Sequence, residues 1–101
     1  MSRIEQIEKL LADEPGDVFL NFSLAMEYAK ADRHQEALQQ FARVNQLDPD
    51  YIVAWYQRAN TLIALDRKDE AKPVLQQGIA AARRVGDKHA VDQMTKIMEM
   101  V

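Results

Sequence analysis

Residues 3 to 83 of this chain repeat themselves every thirty-four positions. Pro15/Pro49, Ala25/Ala59, Asp32/Asp66, Arg33/Arg67, Glu36/Glu70 and Ala37/Ala71 are identical at that offset. Ile7/Phe41, Val18/Ile52, Phe19/Val53, Phe22/Tyr56, Tyr28/Leu62 and Phe41/Leu75 are apolar at both members. A period of this length belongs to supersecondary units that cannot bury their apolar faces alone and do so by stacking. Such a design produces an extended surface more readily than a catalytic cleft.

The units are helical. Three Gly, three Pro and 48% hydrophobic residues, with long stretches of Ala, Leu, Gln, Glu and Arg, point to an all-α protein, and 101 residues leave room for one domain. Glu14-Pro15-Gly16-Asp17 and Asp48-Pro49-Asp50 each close one helix and open another, because proline disfavours helix in the residue before it and Asp caps a following N-terminus. Ala31-Asp32-Arg33-His34 and Leu65-Asp66-Arg67-Lys68 mark tighter turns. Helices are predicted at 2–13, 18–31, 34–47, 51–65, 68–85 and 88–100. Loops this short set neighbouring helices antiparallel. Pro73, early in the fifth helix, is expected to bend it slightly at most. Arg83 and Arg84 before Val85-Gly86-Asp87 read as a helix C-terminus with glycine as its left-handed cap.

Spacing assigns the core. Asn21, Leu24, Ala25 and Tyr28, then Trp55, Arg58, Ala59 and Leu62, fall on one stripe of their helices. Ala25 and Ala59 are small where a partner helix crosses closely, and Ala37 and Ala71 answer them. Phe41, Val44, Leu75 and Ile79 supply the bulk that fills the layer.

These residues resemble the tetratricopeptide repeat family. Leu24, Ala25, Tyr28, Ala37, Phe41 and Pro49 match its pattern in one unit, and Trp55, Ala59, Leu62, Ala71, Leu75 and Gly78 in the next. Asn21 stands where the pattern has Trp, Arg58 where it has Leu, and Arg83 where a third Pro would be. The resemblance implies a short right-handed stack of helix pairs: a half repeat at 1–16, repeats at 17–50 and 51–86, and a capping helix at 87–101. It also implies protein binding without naming a partner.

A second apolar stripe makes that implication specific. Phe19, Phe22, Met26 and Ala29, and Val53, Tyr56, Asn60 and Ile63, recur about 140° around their helices from the core stripe. In the family this stripe lines the concave groove, so Phe19, Phe22, Met26, Lys30, Val53, Tyr56, Asn60 and Ile63 are the expected partner-binding residues. The expected ligand is a peptide or amphipathic helix of another protein, with the aromatics and Met26 as anchors, Asn60 pairing with main-chain amide and Lys30 at the rim. Two alternatives use the same face: a homodimer, or cover by the closing helix, whose stripe of Ala90, Met94, Ile97, Met98 and Val101 should seal the end of the stack. Some family members clamp a C-terminal carboxylate with Lys and Asn on successive first helices. Here Phe22 and Met26 occupy those places and only Asn60 fits, so no such clamp is expected.

Other function classes find little footing. The chain has no Cys, which removes disulfides and thiolate chemistry. His34 and His89 lack a second ligand at coordinating spacing, no phosphate loop or nucleophile motif occurs, and Met94, Met98 and Met100 pack without needing a metal. No enzyme activity, cofactor or metal is expected. A net charge of −3 gives no field for nucleic acid, and an RNA-binding role would have only Arg33, Arg67 and Lys68 to work with. No apolar run approaches bilayer length and the N-terminus has no apolar leader core, so a cytoplasmic adaptor, scaffold or assembly helper is the expectation.

Overall fold

The computed structural model describes residues 2–101, so Met1, the start of the anticipated half repeat, lies outside it. Among the described residues there are six helices and no strand: α1 Arg3–Asp13, α2 Val18–Lys30, α3 His34–Leu47, α4 Ile52–Ala64, α5 Lys68–Val85 and α6 Lys88–Glu99. Each packs on its neighbours in chain order, giving an all-α stack of hairpins. No helix among the described residues is long and apolar enough to cross a membrane.

Local chemistry sets the boundaries. The side chains of Ser2, Asp17 and Asp87 accept from the amides of Glu5, Leu20 and Ala90 at 3.1, 2.8 and 3.0 Å, capping α1, α2 and α6. The hairpin turns follow another rule. Asp32 and Asp66 both take φ 59°, a left-handed conformation, and the next amides, of Arg33 and Arg67, reach back to Tyr28 and Leu62 carbonyls at 2.9 and 2.8 Å. This is the Schellman ending, built twice on Asp where Gly is usual. Gly86, at φ 74°, makes the third, with the Asp87 amide donating to the Ala82 carbonyl at 2.9 Å. Pro73 lies exposed within an uninterrupted α5.

Immediately after each Asp turn, an arginine binds the glutamate three residues on. Arg33 engages both Glu36 oxygens at 2.7 and 2.5 Å and lies 4.7 Å from the centre of the Tyr28 ring. Arg67 engages both Glu70 oxygens at 2.6 and 2.7 Å and adds a bond to Gln35 at 3.0 Å. The guanidinium hydrogen bonds hold both carboxyls below their ordinary range.

The four alanines at the helix crossings are wholly buried, as are Phe41, Val44 and Leu75. A buried phenylalanine ring contributes about 1.5–3 kcal/mol through removal from water. Ile7 of α1 closes the first cluster against Leu24 and Tyr28, while Ala90 and Met94 of α6 close the second against Trp55 and Leu75. Along the outer edge, Arg84 donates to Asp50 Oδ1 at 3.1 and 2.8 Å, tying α5 to the loop thirty-four residues earlier.

Asn21 and Trp55, which occupy the same place in successive units, are both buried and both donate from the side chain to a proline carbonyl six residues back. The distances are 3.1 Å to Pro15 and 2.8 Å to Pro49. Their surroundings differ in a correlated way. Asn21 Oδ1 accepts from Gln40, and Val44 stands one turn further on; around Trp55 the corresponding residues are Val74 and Gly78. A Cβ on Gly78 would sit 2.8 Å from Trp55 Cβ and 2.7 Å from Met94 Sδ. The bulky indole and the bare glycine therefore belong together.

Candidate partner-binding site

The second stripe of α2 and α4 is laid out unevenly. Phe19 is 68% exposed and Val53 38%, the two most accessible apolar groups of that stripe. Phe22, Met26, Tyr56, Asn60 and Ile63 are half-buried, and Lys30 is exposed with its ammonium 3.2 Å from Glu27 Oε2. Glu27 also meets Arg3 of α1 at 3.5 Å. Thus Lys30 already has an acidic neighbour on its own helix.

Phe22 has company. Its ring centre lies 5.9 Å from that of Phe41 and 5.2 Å from that of Tyr51, both tilted, so the ring packs against both a core residue and the residue before α4. Burial, with a smaller effect from Asp48, raises the Tyr51 phenol above its ordinary pKa. Met26 packs against the same cluster, and Tyr56 and Ile63 pack against the second one. The readily available apolar surface is therefore Phe19 and Val53, with edges of Phe22 and Tyr56 beneath.

Packing of α6 on α5, as α4 packs on α3, creates a feature that helix spacing alone does not disclose. A pocket of about 250 Å³ opens between α4 and α6, walled by Ile52, Val53, Tyr56 and Gln57 on one side and by His89, Ala90, Gln93 and Met94 on the other. The closing helix seals the core below and leaves this pocket open above. His89 and Gln93 place ring nitrogens and an amide beside an apolar floor, a pairing suited to main-chain groups of an apolar segment. Carrying the period from Val53 and Tyr56 one unit on reaches Asp87 and Ala90, in the same wall as His89. Helix α6 begins two residues later than that period would set it.

No group of three or more His, Cys, Asp or Glu side chains gathers among the described residues. His34 Nε2 lies 3.6 Å from Asp32 Oδ1, too far for a firm hydrogen bond, and Asp32 is almost wholly in solvent.

Comparison with known proteins agrees with this architecture. The tetratricopeptide repeat family model matches residues 28–91. A TPR repeat-containing protein of Pseudomonas aeruginosa is 32% identical over 92 residues, covering 91% of this chain and 88% of its own. The solution structure of a tetratricopeptide repeat domain protein from Salinibacter ruber superposes with a TM-score of 0.79 at 31% identity, over 85% of this chain and 87% of that one. A protein of Bordetella parapertussis superposes with a TM-score of 0.83 at 27% identity, over 99% of this chain and 87% of that one.

Proposed function

Since the chain belongs to the tetratricopeptide repeat family, in general a non-catalytic protein-interaction fold, we propose that it binds a peptide or helical segment of another protein on the face formed by α2, α4 and α6. The chain then divides into a half repeat at 1–16, repeats at 17–50 and 51–86, and a closing helix at 87–101. The protein acts as a cytoplasmic adaptor, scaffold or assembly helper. One observation carries this reading. Phe19 and Val53 stay open to solvent while every other large apolar side chain of their stripe packs against a core cluster.

Roles follow from placement. Phe19 and Val53 anchor apolar side chains of the ligand, Phe22, Met26, Tyr56 and Ile63 shape the floor, and Asn60 bonds to main chain. Lys30, already near Glu27, tunes charge at the rim. Two or three anchors carry most of the affinity in such interfaces. The groove is largely preformed, so binding is expected to leave the backbone in place.

Phe22→Glu would put a charge between Phe41 and Tyr51 and so damage the fold. Phe19→Glu with Val53→Glu is the cleaner variant. Affinity capture from native extract, compared between wild type and this variant at equal melting temperature, tests the assignment. A bound protein retained by wild type and lost from the variant supports it, and equal retention overturns it. Sedimentation velocity across a hundredfold concentration range checks the alternative. A dimer that the double substitution dissolves would reassign the same face to self-association.

A further inference from the structure

On the flank of α4 turned away from Val53 and Tyr56, a second recess of about 370 Å³ lies between α3 and α5, with Arg58 and Leu62 of α4 in its wall. Arg58 fills the place that buried Leu24 holds in the preceding unit. It is half-buried, its guanidinium carbon lies 5.4 Å from the centre of the Trp55 ring, and no described carboxylate forms an ion pair with it. A cation at a core-facing position is costly to leave unpaired. Burial lowers its pKa with no opposing cause, as follows from the absence of any compensating anion.

The other polar groups of the recess are set to receive one. Arg67 is held in a two-point pair with Glu70, so those charges cancel and the local surplus is the single charge of Arg58. Gln35 accepts from Arg67 through Oε1, which leaves its NH₂ free to donate, and Gln39 and Gln77 bring two further amides to the walls. One planar cation in a recess that amide side chains also line suits one planar monoanion. A dianion such as phosphate would be left with uncompensated charge beside Glu70.

We propose that the recess between α3 and α5 is a carboxylate-binding site, in which Arg58 pairs with the anion and the glutamine amides orient it. The site is independent of the groove across α4. Its ligand is a carboxylate from one of two sources: a small free carboxylic acid, or an acidic side chain of a bound polypeptide.

Trp55 is the only tryptophan and stacks on the group that would bind, so its fluorescence reports occupancy. Wild type is titrated at constant ionic strength with sodium acetate, with acetyl-Ala-Glu-Ala-amide and its glutamine counterpart, with phosphate and with chloride. The Arg58 Nε–H resonance is followed in parallel by NMR. The expected result is a saturable change with acetate, the glutamate peptide or both. Which of the two binds more tightly identifies the source. Arg58→Lys, which keeps the charge and loses the planar fork, should weaken binding roughly tenfold, in line with loss of a charge-assisted hydrogen bond. Arg58→Leu, the residue of the preceding unit, should fold and show no saturation; if it fails to fold, the lysine variant decides. Equal responses to chloride and acetate, saturation by phosphate alone, or undiminished binding in Arg58→Lys would each overturn the assignment.

Discussion

The two helix hairpins α2–α3 and α4–α5 share a backbone and disagree about how to fill it. Both turns end on Asp at φ 59°, both follow with an Arg–Glu pair, and both tie a side-chain N–H to a proline carbonyl. Yet one sets Asn21 beside Gln40 and Val44, and the other sets Trp55 beside Val74 and Gly78. Three positions thirty-four residues apart have changed in concert, exchanging a polar network with a bulky neighbour for a large ring with an empty one. The difference separates two requirements that a single repeat would confound. The donor to the proline carbonyl is kept, so that the loop before each first helix is tied to that helix. The volume is negotiable, provided the sum is conserved.

Forcing the first unit's solution onto the second should break this balance most severely. Gly78→Val should destabilise by about 2–3 kcal/mol, since the new side chain meets Trp55 and Met94 well inside contact distance. Adding Trp55→Asn should cost less than the two single changes summed, with a coupling of roughly 1 kcal/mol or more in urea melts; additive costs would dissolve the idea of a matched pair. Next come the crossing alanines, buried alike in both units. Ala37→Leu and Ala71→Leu should each cost about 1–3 kcal/mol by chemical denaturation. An unchanged midpoint for either would show that the crossings are looser than drawn.

The hydrogen bond itself can be isolated. Asn21→Leu strips Pro15 and Asp17 carbonyls and Gln40 of a partner and should cost about 1–3 kcal/mol. Trp55→Phe strips only the Pro49 carbonyl and should be milder. The turns should answer more gently and equally: Asp32→Gly and Asp66→Gly each relieve a left-handed non-glycine and should stabilise by under about 1 kcal/mol in thermal melts.

Smallest is the acid response of the two Arg–Glu pairs. Glu36 and Glu70 have folded pKa values below their unfolded ones, so the stability they contribute is present above the unfolded carboxyl pKa and disappears as pH falls through the folded value. Both pairs are solvent-exposed, so the effect is slight. Glu36→Gln and Glu70→Gln should flatten the acid limb of the melting temperature against pH by similar amounts.

Much of the architecture was open to reading without coordinates. Proline, glycine and Asp punctuation placed all six helices to within a residue or two, and the alanine crossings and the glycine cap at Gly86 followed from spacing. Periodicity fixes the angle of a side chain around its helix, and so it singled out Phe19 and Phe22 together. It says nothing about a loop residue folding back, and Tyr51 is what separates those two rings into an exposed one and a packed one. The period carried one unit on reaches Asp87 and Ala90 of the pocket wall but not His89 and Gln93, because α6 begins two residues beyond the thirty-four-residue register. How Asn21 fills a place where the pattern has Trp is legible only from its two carbonyl partners, Pro15 and Asp17.

The bridge from Arg84 to Asp50 joins positions thirty-four residues apart, the last turn of α5 and the loop before α4, with opposite charges at the two ends. An exposed pair of this kind is worth at most about 1 kcal/mol, but its asymmetry makes the stack directional. Were residues 51–84 duplicated in tandem, arginine would fall above arginine at the new joint, whereas the existing order sets acid below base. Growth of this array by simple copying would thus begin with a local repulsion, and any longer descendant must first edit that column.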